Sequence, residues 1–368
     1  MKKIAWITEE NFIDVDLPIV AKINEVFEVH WFVVFPKNTI TDYDEDFISS
    51  YSKKHKIANH NFKLKYRLRN IHSVRDYYKL IRQVNSLKPD IIYIDFFGIP
   101  YFFLMASVLF KRSRVIYAAH DVIEHKNIKK RNSFRLYQRL IFNRFQNFHI
   151  FSKTQQDYFL NKYPGKKTFV APLFLKSFGK TGLTPGNGEV VFLFFGIIRG
   201  NKGLEFLIEA ANELCKHYKN KFKVTIAGSC DNWEYYEQKI TCPEVFDLRI
   251  GMVPNNKIPD LFGESHYLVL PYLDVTQSGP LLIAFNYNVP AIAADHAGFR
   301  EYIKHGQNGY LFKSGSSGEL YSLMKGIIES NNQDYAMLRR NVKEFTRENI
   351  ALEPIIQKYI DFLHLASA

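Results

Sequence analysis

Short apolar runs alternate with amphipathic stretches along all 368 residues of the chain. In the first half, the runs that predict buried strands are residues 4–8, 29–35, 91–95, 115–119, 148–151 and 168–171. Apolar residues recur at helical spacing between these runs, at about 16–27, 72–87, 99–110, 131–145 and 153–162. This alternation is typical of a parallel β-sheet with helices packed against it.

A second series of the same kind begins at Val190. It predicts further strands at 223–227, 248–250, 267–270 and 291–294, and helices near 316–330, 333–347 and 352–365. Single hydrophobic cores stop growing near about 250–300 residues, so a chain of this length favours two domains. Between the two series, Gly, Pro, Ser and Thr are concentrated without periodicity, which predicts a flexible hinge.

These patterns predict an α/β protein with two Rossmann-like, doubly wound parallel-sheet domains that face each other across a cleft. We expect an N-terminal domain at residues 1–174, a linker at 175–189 and a C-terminal domain at 190–345. Residues 346–368 predict a final helix that packs back on the N-terminal domain. Ligands of such folds bind outside the carboxyl ends of the strands, so the cleft is the expected ligand site.

One stretch has the length of a membrane span. Residues 91–110 are almost entirely apolar, and about 20 such residues can cross a bilayer. Asp95, Gly98 and Pro100 interrupt the run, which favours a buried strand followed by a separate helix. The first ten residues, MKKIAWITEE, leave no room for the apolar core of a signal peptide. We therefore expect a cytoplasmic protein.

The cysteine pattern agrees with that location. The three cysteines are Cys215, Cys230 and Cys242, which have no metal-ligand spacing and cannot all pair. A reducing compartment fits this pattern best, and no bound metal is expected.

The chain is basic, with 49 Lys and Arg, 37 Asp and Glu and a formal net charge of +12. Such an excess attracts nucleic acid, an anionic membrane face or phosphate-bearing small molecules. The basic segments are short and scattered, which disfavours nucleic acid. We expect a phosphate-bearing ligand, and the charge also suits an anionic membrane surface, so that peripheral binding at the inner membrane face is one expectation.

The segment FGIIRGNKG, at residues 195–203, combines features of an anion site. It follows a strand and precedes an amphipathic helix, whose first amides and positive dipole end attract anions. Its glycines permit tight turns and close approach of a ligand. Arg199 has a fork of donors that suits phosphate, and Lys202 adds a mobile charge. The spacing matches neither common nucleotide-binding glycine motif. The alternative is a pair of solvated charges at an ordinary turn.

Three later segments extend this site. VTIAGS ends a strand at Gly228 and Ser229, whose backbone amides are able to approach a ligand, although an ordinary turn is equally compatible. TQSG, ending at Gly279, opens a helix and predicts a second phosphate cradle. Residues 248–262 predict a strand, a loop and a helix, and a planar base fits against that loop.

In this order, the segments FGIIRGNKGLEFLIEA, VTIAGS, LRIGMVPNNKIPDLF, LPYLDVTQSGPLLIAF, VPAIAADHAGFREYI and GQNGYLF resemble the donor-binding half of family 4 glycosyltransferases with the GT-B fold. More narrowly, the chain resembles a branch with FGLIRPYKG-like and ATQSG-like segments. The similarity is close over about residues 190–312 and loose in the first domain.

The resemblance implies roles for individual residues. Arg199 and Lys202 would neutralise the diphosphate of a nucleotide sugar and stabilise it as leaving group, and His120, just after a first-domain strand, would lie near the transferred sugar. Glu9 and Asp121 would lie on the acceptor side. The residues expected to bind the donor are Gly196, Arg199, Lys202, Gly228, Ser229, Gln277, Ser278, Gly279 and Glu301.

The chain departs from the family pattern at one place. Most members carry two glutamates eight residues apart, one near the sugar and one on the ribose. Here Val275 or Gln277 stands near the first place, and Ile283, which cannot hydrogen-bond a ribose, stands at the second. A catalytically inactive GT-B partner subunit and a nucleotide-sugar epimerase are therefore alternatives.

The favoured expectation is a retaining, metal-independent glycosyltransferase without a cofactor, whose substrate is a nucleotide-diphosphate sugar. The resemblance implies a glycan or a lipid-linked acceptor and a role in surface polysaccharide synthesis.

Overall fold

The structure is a computed structural model that describes two compact units. Unit 1 comprises Met1–Leu173 and Leu352–Ala368, and unit 2 comprises Phe174–Ala351. The described residues are 1–37, 43–96, 100–120, 122, 131–175, 177–186, 188–275 and 277–366, with the side chains of 131–135 left aside.

Unit 1 is built on a seven-stranded sheet in the order β3-β2-β1-β4-β5-β6-β7, in which every neighbouring pair is parallel. The order reverses between β1 and β4, as it does in doubly wound folds. The strands are β1 (Lys3–Glu9), β2 (Glu28–Phe35), β3 (Ala58–Lys63), β4 (Ile91–Asp95), β5 (Val115–Ala119), β6 (Asn147–Ile150) and β7 (Lys167–Val170).

The helices of unit 1 are α1 (Ile13–Ile23), α2 (Glu45–Lys54), α3 (Val74–Ser86), α4 (Tyr101–Leu109), α5 (Arg131–Arg144), α6 (Lys153–Lys162) and α14 (Leu352–Ala366). The buried sides of α3, α4, α5 and α6 join one sheet face in a single hydrophobic cluster. The terminal helix α14 packs against α1 and β7, and Phe362 stacks on Phe169.

Unit 2 has a six-stranded parallel sheet in the order β10-β9-β8-β11-β12-β13. Its strands are β8 (Val190–Phe195), β9 (Phe222–Gly228), β10 (Phe246–Ile250), β11 (Tyr267–Leu270), β12 (Ala291–Ala294) and β13 (Gly309–Phe312). Its helices are α7 (Leu204–Tyr218), α8 (Glu234–Glu237), α9 (Ile258–Gly263), α10 (Gly279–Asn286), α11 (Ala297–Arg300), α12 (Ser317–Glu329) and α13 (Tyr335–Asn349). The order again reverses at the central strands, here between β8 and β11.

The apolar run at 91–110 forms the buried strand β4 and the helix α4, as its interrupting residues predict. Among the described residues, no helix is long and apolar enough to span a bilayer. The described elements that the sequence-based prediction missed are α2, β3, α8, α11 and β13. Strand β3, ANHNFK, is an edge strand without a buried apolar face, so its sequence gives no strand pattern.

In the structure the predicted linker belongs to unit 2, and side chains of that unit hydrogen-bond to part of it. The Tyr287 hydroxyl accepts from the Phe178 amide and donates to the Gly179 carbonyl, both at 3.1 Å. The Thr181 hydroxyl donates to Asp260 at 3.0 Å. The hinge itself remains a prediction.

Two of the three cysteines lie close together in unit 2. Cys215, near the end of α7, and Cys242, just before β10, form a disulfide, whereas Cys230 is free. The fold brings these two positions to a Cα–Cα distance of 6.5 Å, which suits a disulfide and which sequence spacing does not reveal.

Candidate functional site

The segment after β8 packs closely against the loop that follows the neighbouring strand β11, and a glycine makes this approach possible. Gly203 has φ +62° and closes a short 3-10 turn, Gly200–Lys202, before α7 begins. A Cβ atom at Gly203 would lie 2.0 Å from the carbonyl oxygen of Pro271, which follows β11. The turn is also tied to that loop, because the Leu273 amide donates to Asn201 O at 2.9 Å. Only glycine permits this approach.

A second close approach joins the ends of β8 and β9. Gly228 has φ +152°, and a Cβ there would lie 1.9 Å from the carbonyl oxygen of Gly196. The Ile198 amide donates to the Ser229 carbonyl at 2.8 Å. The predicted donor residues Gly196, Gly228 and Ser229 therefore lie together at the carboxyl ends of adjacent parallel strands.

Lys202 lies in this same place, over an aromatic ring. Its Nζ is 3.8 Å from the centroid of the Tyr272 ring, which is buried. Burial, and secondarily the charge of Arg199, lowers the pKa of Lys202 to about 8. A cation held in a poorly solvated position beside a second cation gains free energy when an anion binds to it.

Arg199 is exposed beside Lys202. Neither residue takes part in an ion pair of the described part of the chain. The two positive charges are thus not neutralised by neighbouring carboxylates, which distinguishes them from Arg300, held by Asp295. This arrangement suits a doubly charged anion.

The start of α10 completes the cradle but offers fewer amides than the sequence suggests. The Ser278 hydroxyl caps the helix by accepting from the Leu281 amide at 3.3 Å. Pro280 has no N–H and the Leu281 amide is capped, so the helix start offers an anion at most the amides of Ser278 and Gly279. Pro280 Cγ lies 3.3 Å from a Cβ built on Gly196, so this helix start adjoins the end of β8.

Tyr272 and His296 belong to this constellation and were not predicted. Burial raises the pKa of Tyr272 to about 12, whereas a hydrogen bond with Ser278 acts in the opposite direction. His296 Nε2 lies 2.7 Å from the Tyr272 carbonyl oxygen and fixes the start of α11 to the loop after β11. The sequence signal for Tyr272 was only its place two residues after a buried strand.

The two remaining predicted donor residues lie on different segments. Gln277 precedes the cap of α10 in the loop after β11, whereas Glu301 is the C-cap of α11; both are half-buried and engaged in further interactions. Ile283, where the family pattern has a glutamate, is buried in α10.

A pocket of about 440 Å³ opens at the end of β10. It adjoins the glycine cradle, because the Gly251 amide donates to Gly228 O at 3.0 Å. Its lining combines a basic and an apolar part with two acids: Arg249, Ile250, Gly251, Met252, Val253, Pro254, Lys257, Asp260, Leu261 and Glu264. Its volume and apolar walls suit a heterocyclic base.

In unit 1, His120 lies at the end of β5 between two aromatic rings. Phe12 and Phe151 stack on its ring at centroid distances of 4.3 and 4.2 Å. Its Nε2 lies 2.6 Å from Oδ1 of Asp95, which is buried at the end of β4. Because an ionised carboxylate only accepts hydrogen bonds, Asp95 favours the tautomer with the proton on Nε2. Asp95 was not predicted, since its partner lies 25 residues away.

A buried carboxyl group adjoins this pair. Asp16 accepts from the Trp6 indole at 2.9 Å and from the Thr8 hydroxyl at 2.6 Å. Burial, followed by the charge of Asp95, raises the pKa of Asp16 well above its usual value. Asp16, in α1, therefore belongs to the interior of unit 1.

Glu9, predicted on the acceptor side, is 2% exposed and accepts from the Asn11 side-chain amide at 2.9 Å. Asp121 lies outside the described residues. The acceptor-side assignments of both residues stay predictions.

Among the described residues, side chains of metal-ligating types come together at Cys215, Cys242 and Glu244. Ligand atoms of Cys215, Cys242 and Glu244 lie within 4.8 Å of one another. The two sulfurs are joined to each other, and Glu244 pairs with Lys219 at 2.5 Å. These residues lie at the opposite end of α7 from Lys202, so they do not belong to the anion cradle.

Residues 189–330 match the family model described as Glycosyl transferases group 1. A glycosyltransferase of Methanocaldococcus jannaschii, itself described as uncharacterized, is 24% identical over 176 residues. The match covers 45% of this chain and 44% of that relative, so the similarity spans less than half of either protein.

Solved structures resemble the chain over nearly its whole length. Anabaena HepE in complex with UDP and glucose is 17% identical, with a TM-score of 0.74 over 99% of this chain and 100% of that one. Sucrose-phosphate synthase from Thermosynechococcus elongatus is 12% identical, with a TM-score of 0.76 over 99% of each chain. With its two parallel-sheet α/β units, the chain has the GT-B fold.

Proposed function

We propose that the protein is a glycosyltransferase that moves a sugar from a nucleotide-diphosphate donor to a hydroxyl group. The observation that carries this proposal is the pair Lys202 and Arg199, which has no acidic ion-pair partner among the described residues and lies in a glycine cradle at the ends of β8 and β9. The family match over 189–330, which includes this cradle, supports glycosyl transfer.

The chemistry follows from where charge develops. When the glycosidic bond of the donor breaks, negative charge grows on the diphosphate that leaves. A cation such as Lys202, poorly solvated before the anion arrives, stabilises that charge more in the transition state than in the ground state. We assign this role to Lys202, with Arg199 as an exposed second donor and the Gly279 amide as a third contact.

We assign the nucleoside to the pocket after β10. The Gly251–Gly228 hydrogen bond links that pocket to the cradle, so a nucleoside there has its phosphates near Gly196 and Lys202. The glutamate that contacts the ribose in most members of the resembled family is absent here. Its position is occupied by Ile283, which is apolar and buried and cannot hydrogen-bond a ribose. We expect Glu301 or Gln277 to contact the sugar or ribose hydroxyls instead.

In unit 1 we assign a catalytic role to His120 and a positioning role to Asp95. The aromatic rings of Phe12 and Phe151 fix the plane of the imidazole, and Asp95 sets its tautomer. A histidine oriented in this way suits contact with the transferred sugar or the acceptor hydroxyl.

The finer expectations remain part of the proposal. We propose retention of anomeric configuration, transfer without a metal ion, and a glycan or lipid-linked acceptor of a surface polysaccharide pathway. We also propose a cytoplasmic location with peripheral binding at the inner membrane face, in line with the net charge of +12.

A thermal-shift screen with UDP-, GDP- and dTDP-sugars tests the donor site. A donor present at about one hundred times its Kd stabilises the fold by about 2.7 kcal/mol, which corresponds to roughly 5–10 °C for domains of this size. The double variant Arg199→Ala/Lys202→Ala should melt like the wild type and show no shift. The matched control is Arg340→Ala/Lys343→Ala, which removes two exposed cations of α13 and should respond fully.

A failure of every nucleotide sugar to raise the melting temperature would contradict the proposal. The buried Ile283 then favours a catalytically inactive partner subunit. If a donor binds and is converted without any acceptor into an epimeric nucleotide sugar, the protein is an epimerase.

A further inference from the structure

One segment of the chain accounts for its net positive charge. Residues 65–144 contain 17 Lys and Arg and five Asp and Glu. The surplus of 12 equals the formal net charge of the whole chain, although the segment comprises only 80 residues. The net charge therefore reflects one region of unit 1 and not a uniformly basic surface.

Within this segment, the described helices α3, α4 and α5 form a layer on one side of the unit 1 sheet. Helices α3, α4 and α5 direct their buried side chains into the same hydrophobic cluster, against one face of the unit 1 sheet. Neighbouring helices of the layer contact each other, and the Arg144 guanidinium of α5 donates to the Ser107 carbonyl of α4. The outward sides of these helices thus form one continuous surface, which we call the α3–α5 surface.

Basic side chains follow the outward side of α3. Arg75, Lys79 and Arg82 are exposed and recur at a spacing of three to four residues, which places them in one row. The acid in this stretch, Asp76, is instead buried and accepts from the Lys65 amide at 3.1 Å. The row of positive charge is therefore not neutralised by its own helix.

Large apolar side chains are exposed beside this row. On α4, Leu104 is 46% and Val108 75% exposed, and one turn of helix separates them. On α5, Leu136 and Leu140 repeat the same spacing and are 58% and 47% exposed. Apolar residues grouped in this way on an outer surface mark an interaction site.

A cavity of about 690 Å³ opens where α3 meets α4. Its mouth combines positive charge with aromatic and apolar groups, and Met105 of α4 forms one wall. Its polar and aromatic lining consists of Lys65, Tyr66, His72, Arg75, Tyr78 and Lys79, together with one acid, Asp76, whose buried carboxylate accepts from the Lys65 amide. Such a lining suits a phosphate group with an attached apolar chain.

We infer that the α3–α5 surface docks on an anionic lipid bilayer and that this cavity receives a phosphate-bearing lipid headgroup. The basic row supplies attraction to the charged leaflet, and the exposed leucines and valine enter the boundary between headgroups and acyl chains. Charge alone would suit a nucleic acid equally, but the apolar side chains on α4 and α5 favour lipid. The surface lies in unit 1 and its binding needs no nucleotide, so the inference stands or falls independently of the donor site.

Co-sedimentation with vesicles tests the inference. We expect the wild-type protein to bind vesicles of phosphatidylcholine with phosphatidylglycerol, and to bind pure phosphatidylcholine vesicles far more weakly. Each basic side chain near an anionic surface raises the partition coefficient roughly fivefold. The variant Arg75→Glu/Lys79→Glu/Arg82→Glu should therefore lose at least about 100-fold in partitioning.

The matched control is Arg340→Glu/Lys343→Glu/Arg347→Glu, which makes the same change of net charge on exposed positions of α13 in unit 2. It should keep most of its binding, because its charges lie on another unit. Circular dichroism and melting temperature verify that both variants fold.

A second variant, Leu104→Ser/Val108→Ser, tests the apolar contribution without changing charge. We expect it to weaken vesicle binding at least tenfold and to leave the salt dependence unchanged. Equal loss in the α3 and α13 charge variants would overturn the inference, as would undiminished binding of the α4 variant. Displacement from vesicles by millimolar inorganic phosphate or by RNA would also overturn it, because the surface would then prefer a soluble anion or a nucleic acid.

Discussion

The pKa of Lys202 is lowered by its surroundings. Its Nζ lies over the Tyr272 ring, where burial and Arg199 lower its pKa to about 8. The sequence predicts an anion site at this turn, because the strand, the glycines, the basic residues and the helix start are all local features. It does not predict Tyr272 beneath Lys202, since that contact joins residues 70 positions apart through the pairing of β8 with β11.

The lowered pKa of Lys202 makes donor binding sensitive to pH. Below about pH 8 the amine is protonated and attracts the diphosphate; as pH rises through this value the charge, and with it a charge-assisted hydrogen bond, is lost. We expect the affinity for the nucleoside diphosphate that the thermal-shift screen selects to fall roughly 10- to 100-fold at high pH, when measured by calorimetry.

Lys202→Arg provides the control for this prediction. A guanidinium remains protonated throughout the range, so the affinity of this variant for the same diphosphate should stay constant with pH. An unchanged affinity of the wild type across pH 8 would show that Lys202 does not contact the nucleotide.

Asp95 should set the tautomer of His120. In wild-type protein labelled with ¹⁵N-histidine, we expect Nε2 of His120 to be the protonated nitrogen, because it faces the carboxylate at 2.6 Å. In Asp95→Asn the amide is able to donate or accept, so the preference should weaken. Asp90→Asn, which changes an exposed carboxylate bonded to the Lys3 amide, should leave the ring signals unchanged. A wild-type His120 protonated on Nδ1 would refute the assignment.

At the scale of elements, the apolar runs predict the buried strands well because a strand covered on both faces reads as a continuous apolar segment. Strand β3 fails this test, since it is a polar edge strand. The start of α10 shows another limit: its motif predicts a phosphate cradle, yet Pro280 and the Ser278 side-chain cap leave at most the amides of Ser278 and Gly279. The motif therefore predicts where the phosphate cradle lies, and the local hydrogen bonds limit how many backbone amides it offers.

The fit of the turn at 200–203 to the loop after β11 is open to a direct test. We expect Gly203→Ala to destabilise unit 2 by roughly 3–5 kcal/mol, because alanine resists φ +62° and its Cβ would lie 2.0 Å from Pro271 O. Gly200→Ala is the matched control: it meets nothing within 4 Å and should change stability by less than about 1 kcal/mol. Differential scanning calorimetry gives both values, and equal melting temperatures for the two variants would contradict the close approach.

At the scale of the whole molecule, the two series of strands and helices predict two α/β units, because each series has enough apolar residues for its own core. The net charge alone does not reveal that residues 65–144 carry a positive surplus of the same size as that of the whole chain. Nor does it reveal that the helices of this segment share an outer surface. That arrangement depends on the packing of α3, α4 and α5 on one sheet face, which only the fold provides.

Calorimetric titration of the wild-type protein and of Arg199→Ala/Lys202→Ala measures whether unit 2 binds a nucleoside diphosphate. The titrants are the nucleoside diphosphate of the donor that the thermal-shift screen selects and the matching monophosphate. We expect the diphosphate to bind the wild type at least tenfold more tightly than the monophosphate, because the second phosphate meets both cations. We expect the double variant to lose this difference. Equal affinities of the wild type for the two nucleotides, or a double variant that still prefers the diphosphate, would contradict the proposal.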